Sequence, residues 1–185
     1  MSLAEEFAKR FAGLRQAYGT FTALNETRED GKASGKNVTI SKELSDEGLL
    51  KLWENHLKGK QSIGIVAIDE NNQSACVVDP SESKPIIDFI DNNKIDLKYI
   101  LNTHHHHDHI GGNDKVVART GAQVLAHSGA RSQIPGMDIG LNAGDLIKLG
   151  NSVELQVMDT PGHTMSHVCL KSLTDIPALF AGDTL

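Results

Sequence analysis

The densest run of chemistry in the chain is Thr103-His-His-His-His-Asp-His-Ile-Gly-Gly112. Reduced to spacing it reads H-x-H-x-D-H, with His104, His106, Asp108 and His109 at the marked positions. Side chains two residues apart in an extended loop point the same way, so His104 and His106 share a direction. A turn just beyond them sends Asp108 and His109 to a neighbouring position. Two half-built metal sites then lie side by side. Imidazole and carboxylate donors suit zinc and also accept iron or manganese. Gly111-Gly112 is expected to allow the sharp turn into the next helix. His105 and His107 alternate with the candidate ligands and should point away from them. An affinity-tag relic would sit at a terminus, whereas this run lies between a buried-looking strand and a Gly-Gly turn.

Two further motifs complete the set. Thr160-Pro-Gly-His-Thr-Met-Ser-His167 follows an alternating strand, which puts His163 in a strand-end loop, a usual place for a ligand on an α/β scaffold. His167 opens the next strand and reads as a supporting residue rather than a ligand. Ala181-Gly-Asp-Thr-Leu185 places Asp183 at another strand end. Gly-Asp alone is common turn chemistry. In this chain order, Asp183 becomes a candidate carboxylate for bridging two metals.

The elements that must carry these residues follow from periodicity. Residues 62–185 alternate strand and helix. Strands are expected at 63–68, 75–78, 99–101, 123–126, 153–158, 167–171 and 178–181, with helices at 81–93 and 113–120. Pro85 suits the first turn of the earlier helix, and Gly121 closes the later one. This alternation indicates an α/β fold. Upstream, Leu3, Phe7, Phe11, Leu14 and Tyr18 make one helical stripe, residues 25–37 read as a polar loop, and a second helix is expected over 46–58. Residues 1–60 thus read as a helical N-terminal extension and residues 61–185 as the main domain. The last strand runs almost to the end of the chain, and domains rarely end there, so the sequence reads as a fragment of a longer protein.

Charge supports the same division. Residues 1–60 hold ten Lys/Arg against nine Asp/Glu, whereas residues 61–185 hold eight against fifteen, a net of −7. An acidic body argues against phosphate-backbone binding as the main task. No stretch approaches the ~20 apolar residues of a membrane span, and no secretory signal is visible. Cys76 and Cys169 form no C-x-x-C and read as small buried hydrophobes in a reducing compartment, which makes a cytoplasmic protein the default.

Taken together, the blocks Val78-Asp-Pro, Ile100-Leu-Asn-Thr-His-His-His-His-Asp-His-Ile-Gly-Gly-Asn113, Ile134-Pro-Gly, Asp159-Thr-Pro-Gly-His163 and Leu179-Phe-Ala-Gly-Asp-Thr-Leu185 resemble the metallo-β-lactamase superfamily, and within it the glyoxalase II (hydroxyacylglutathione hydrolase) branch. The resemblance spans residues 62–185. It implies an αββα sandwich with two metals, zinc first among them, at one edge. By the family pattern His104, His106 and His163 bind the first metal, Asp108 and His109 bind the second, and Asp183 bridges them. It also implies thioester hydrolysis of S-D-lactoylglutathione by a metal-bridging hydroxide that Asp108 orients. Ser166 departs from the family's usual Gly. In the family pattern the second metal's last histidine and the residues that grip glutathione lie beyond Leu185, so this chain holds the metal core without the substrate clamp. A mononuclear iron persulfide dioxygenase of the same fold would keep His104, His163 and Asp183, but His107 and Thr184 favour the hydrolase. A catalytically incomplete metal-binding fragment is the non-enzymatic alternative. Residues 26–72 are loosely similar to the leader of primase-like proteins of mobile elements, without their catalytic acids.

Overall fold

In the computed structural model, residues 22–23, 36–37, 50–56, 62–69, 71–174 and 178–184 are described. A short ribbon pairs β1 (Thr22–Ala23) with β2 (Lys36–Asn37). A six-stranded sheet runs in the order β3 (Leu50–His56), β4 (Ser62–Asp69), β5 (Ser74–Val78), β6 (Asp96–Asn102), β7 (Gln123–His127), β8 (Met137–Leu141). Its first three strands are antiparallel and its last four parallel. The crossovers between parallel strands carry α1 (Ser83–Asn93) and then α2 (His107–Ile110) with α3 (Asn113–Thr120). A second, antiparallel sheet runs in the order β12 (Leu179–Phe180), β11 (Val168–Ser172), β10 (Val153–Asp159), β9 (Leu146–Leu149).

The sequence explains this layering. Ser74–Val78 is buried at every position, as a central strand covered on both faces must be. One set of its alternating side chains, Cys76 and Val78, joins Leu101 and Leu125 to face Leu155, Val157, Val168, Leu170 and Phe180 of the second sheet. The other set, Ala75 and Val77, packs with Ile100 and Val124 against Ile86 and Ile90 of α1 and Val116 of α3. The two sheets are pinned at opposite ends. At one end Val168 N–H donates to Thr103 O at 2.9 Å. At the other the buried Asp69 carboxylate accepts from Asn71 N at 3.0 Å in its own turn and from Asn151 N at 3.0 Å in the turn between β9 and β10.

The expected two-sheet α/β sandwich is present, with helices on the outer face of the six-stranded sheet among the described residues, and the helices at 81–93 and 113–120 and all seven expected strands form. One element is corrected. Residues 50–56, expected within a helix, are a strand that pairs antiparallel with β4, so the sheet reaches upstream of residue 60 and the extension is not wholly helical. Leu50 and Leu52 fit a two-residue period as well as Leu49, Leu50, Trp53 and Leu57 fit a helical one. The free edge of β4 decides between them, since backbone pairing in a sheet overrides a short helical pattern. The sequence pattern also missed β8 and β9. The helix expected over 3–18 and most of the loop at 25–37 lie outside the described residues; positions 36 and 37 form β2.

Candidate metal centre

Three strand ends meet at one edge of the sandwich. β6 delivers Thr103 and His104 into the interior, both with no exposed surface. β10 ends at Asp159 and leads into the loop that carries His163. β12 leads through Ala181 and Gly182 to Asp183. Of these, β6 belongs to the parallel part of its sheet and presents its carboxyl end to the site, the usual position for ligands in α/β sheets, whereas β10 and β12 come from the antiparallel sheet.

Three imidazole nitrogens converge there. His104 Nε2 lies 3.0 Å from His106 Nδ1, and His163 Nε2 lies 2.9 Å from the same atom. Ligand atoms ~2.0–2.1 Å from a tetrahedral zinc stand ~3.3 Å apart, so this spacing fits a metal with a small inward offset. The chemistry of the set also fits. Burial pushes the His104 pKa down to about 2, and the neighbouring rings of His109, His167, His106 and His163 add to the effect. His104 is therefore neutral at physiological pH and offers a lone pair.

A second group shares His104 and adds His109 and Asp183. The Asp183 carboxylate stands between the two halves, with Oδ1 3.2 Å from His109 Nε2 and Oδ2 3.4 Å from His163 Nε2. A carboxylate so placed is within reach of both groups. Asp108 is set back. Its Oδ2 is 3.9 Å from His109 Nε2, its side chain is 54% exposed, and it belongs to neither compact group. Of the six residues singled out from sequence, the structure therefore brings five together and holds Asp108 at the rim.

A family profile described as "Metallo-beta-lactamase superfamily" matches residues 59–185. The chain belongs to the metallo-β-lactamase superfamily. Curated relatives within it include a hydroxyacylglutathione hydrolase of a Polaromonas species, 58% identical over 89 residues, covering 48% of this chain and 34% of that protein. The hydroxyacylglutathione hydrolase of Nitrosococcus oceani is 46% identical over 121 residues, covering 65% and 46%. The chain thus spans less than half the length of these relatives. Among solved structures, a metallo-β-lactamase from Staphylococcus aureus superposes with a TM-score of 0.63 at 21% identity, over 74% of this chain and 42% of that one. The B3 metallo-β-lactamase BLEG-1 superposes with a TM-score of 0.64 at 23% identity, over 72% of each. These likenesses concern the fold.

In this superfamily member, a residue to which the sequence reading gave no role organises the His109 half. Asp79 follows β5 and adopts a left-handed backbone (φ 49°), which Asp tolerates better than most side chains. Its Oδ1 accepts from Thr103 N at 2.7 Å, and its Oδ2 accepts from Thr103 Oγ1 at 2.6 Å and from His109 Nδ1 at 3.0 Å. Carboxylate capture of Nδ1–H leaves Nε2, which faces Asp183, as the nitrogen of His109 that a metal would take. Burial opposes a charge on His109, but the hydrogen bond and charge of Asp79, with Asp183 and Asp108 behind, outweigh it and raise its pKa. The block Val78-Asp-Pro was the available signal, a carboxylate at the end of a fully buried strand.

The supporting role expected of His167 is what its surroundings describe. Its ring is fully buried, stacks on His104 with centroids 5.1 Å apart, and meets Thr160 Oγ1 at 2.9 Å and Thr184 Oγ1 at 3.1 Å. His105 and His107 belong to neither ligand group, as expected. The Gly111-Gly112 pair serves differently from expectation. Gly111 and Gly112 have ordinary right-handed φ values, −60° and −90°, and what they need is space: a Cβ on Gly112 would lie 2.6 Å from Pro80 O. Gly182 does need its left-handed φ of 52°, and a Cβ there would meet Thr103 Oγ1 and His167.

Proposed function

We propose that this chain is the metal-binding core of a hydroxyacylglutathione hydrolase-like thioesterase that converts S-D-lactoylglutathione and water to D-lactate and glutathione. The observation that carries this reading is the meeting of His104 Nε2, His106 Nδ1 and His163 Nε2, with the Asp183 carboxylate between His163 and His109. The substrate class is that of the hydroxyacylglutathione hydrolases to which the chain is similar.

His104, His106 and His163 would hold one zinc ion, and His109, Asp108 and Asp183 a second, with Asp183 shared. Bound metal supplies Lewis acidity and lowers the pKa of a water to about 7. The chain's own residues do the rest. Burial favours the neutral form of His104, whose Nε2 would be its ligand atom. Asp79 holds the tautomer of His109. Asp108, set back at the solvent rim, would have to swing inward to join the second ion and orient the attacking water. Water oxygen bonds to the carbonyl carbon and gives one proton to solvent, the C–S bond breaks and the thiolate leaves unaided, because a thiol of pKa ~8.5 is a good leaving group, and the carboxylic acid formed releases the second proton to solvent. The two buried free cysteines fit a reducing, cytoplasmic setting.

The test is release of D-lactate from S-D-lactoylglutathione by the zinc-loaded protein. Turnover that is lost on chelation, restored by zinc and absent from H106A and D183N supports the reading. Turnover that survives in either variant refutes it.

A further inference from the structure

The loop that carries His104, His106, Asp108 and His109 begins at Asn102 and ends at Asn113. The side chains of those two residues meet beneath it. Asn113 Nδ2 donates to Asn102 Oδ1 at 2.7 Å, and Asn102 Nδ2 donates to the backbone carbonyl of His109 at 3.1 Å. Asn102 Nδ2 also lies 3.4 Å from Asn113 Oδ1. Asn102 has no exposed surface and Asn113 has 4%. Two amides buried this deeply persist only when each satisfies the other, since an orphaned one is costly.

We propose that Asn102 and Asn113 form a clasp that positions the His109 half of the metal centre selectively. The asymmetry lies in what the clasp touches. It closes the loop at its two ends and holds the His109 backbone directly, whereas Asp79 holds the His109 ring. His163 arrives from the loop after β10 on the other sheet, and its polar partners are His106 and Asp183 rather than either asparagine. His104 is buttressed separately, by Thr103 Oγ1 at 3.1 Å and by stacking on His167. Asn102 and Asn113 are positioning residues: they act on His109 through its backbone and touch no reacting atom.

The inference rests on the two-ion reading above for one of its readouts and is independent of it for the other. The variants are N113A and the apolar pair N102V/N113L. N113A leaves Asn102 short of a partner and is expected to lower stability. The apolar pair removes both amides and is expected to recover most of that loss. If the clasp were merely structural, the apolar pair would then behave as the parent. The first readout, on metal-free protein, is the NMR signal of the His109 Nδ1 proton held by Asp79. Its exchange with solvent should quicken at least about tenfold in the folded apolar pair. The second is zinc titration against a chromophoric chelator. The later, weaker step should weaken about 10-fold or more, while the first step stays within about twofold. An apolar pair that folds and keeps the parent's His109 proton exchange overturns the proposal, as does equal weakening of both steps. A parent that binds one ion or none overturns the two-ion reading instead, and the proton-exchange result still decides the clasp.

Discussion

Replacing Asp79 with asparagine exchanges one oxygen for an NH2 and leaves shape and volume intact. Thr103 N–H, 2.7 Å from Oδ1, can only donate, so the amide oxygen must take that position. The NH2 then faces Thr103 Oγ1 and His109 Nδ1, where the carboxylate accepted at 2.6 and 3.0 Å. It can donate to Nδ1 only if His109 carries its proton on Nε2. That atom faces Asp183 at 3.2 Å and is the one a metal needs bare. To bind metal, the ring must return its proton to Nδ1 and set two donors against each other. The lost charge-assisted hydrogen bond is worth ~1.5–3 kcal/mol, which is roughly a 10- to 150-fold loss of affinity. Changes around metal-ligating histidines cost ~10- to 100-fold in general. The assay is zinc titration of the metal-free protein against a chromophoric chelator, with circular dichroism as the check on folding. The step assigned to His104, His106 and His163 should weaken less, because Asp79 reaches His104 only through Thr103 Oγ1. A folded D79N protein whose two steps are both unchanged, or equally weakened, would refute the tautomer argument.

Three further outcomes are expected. At Asp69, burial pushes the carboxyl pKa up, but the Ser152 hydroxyl and the N–H groups of Asn71, Asn151 and Ser152 outweigh it and hold it below the usual range. A carboxyl depressed on folding adds stability that is fully present above its unfolded pKa of ~3.9 and fades as pH falls through the lower folded value. Asp69→Ala, which takes the acceptor from Asn71 N–H in its own turn and from Asn151 and Ser152 N–H across the join of the sheets, should cost about 1–3 kcal/mol at neutral pH in urea denaturation and remove this acid-side dependence; an unchanged midpoint contradicts it. Gly182→Ala forces a Cβ toward Thr103 Oγ1 and His167 and puts alanine at a left-handed φ; zinc binding should fall at least about tenfold, measured by the same titration, because Asp183 is the next residue. Cys76 is fully buried and its thiol is pushed up to about 12 by that burial, so it should resist alkylation at pH 8 until the protein is unfolded, as read by mass spectrometry.

Legibility in the sequence followed locality. The H-x-H-x-D-H run, the loop at His163 and the strand end at Asp183 were readable because each ligand type sits beside its own turn and strand signals. The long apolar runs at 63–68, 75–78 and 99–101 revealed strands for the same reason. Partners that meet only through the fold were not readable. Asp79 stands 24 residues from Thr103 and 30 from His109, and its block Val78-Asp-Pro marks a carboxylate at a strand end without naming the partners it meets. The Asn102–Asn113 contact closes over a turn whose tightness depends on Pro80 and Ser81 from another segment. The strand at 50–56 was misread because its apolar pattern is compatible with both periods and the deciding partner, β4, comes later in the chain. Asp108 shows the limit of spacing rules: its place in the motif is right, yet the first turn of α2 leaves it at the rim.

X-ray absorption at the zinc edge of the zinc-loaded chain tests the central claim most directly. The expected spectrum is a nitrogen and oxygen shell at ~2.0–2.1 Å with the outer-shell signature of several imidazoles, reduced in H106A. A sulfur shell at ~2.3 Å, or a spectrum with no imidazole contribution, would place the metal elsewhere and contradict the assignment of His104, His106 and His163.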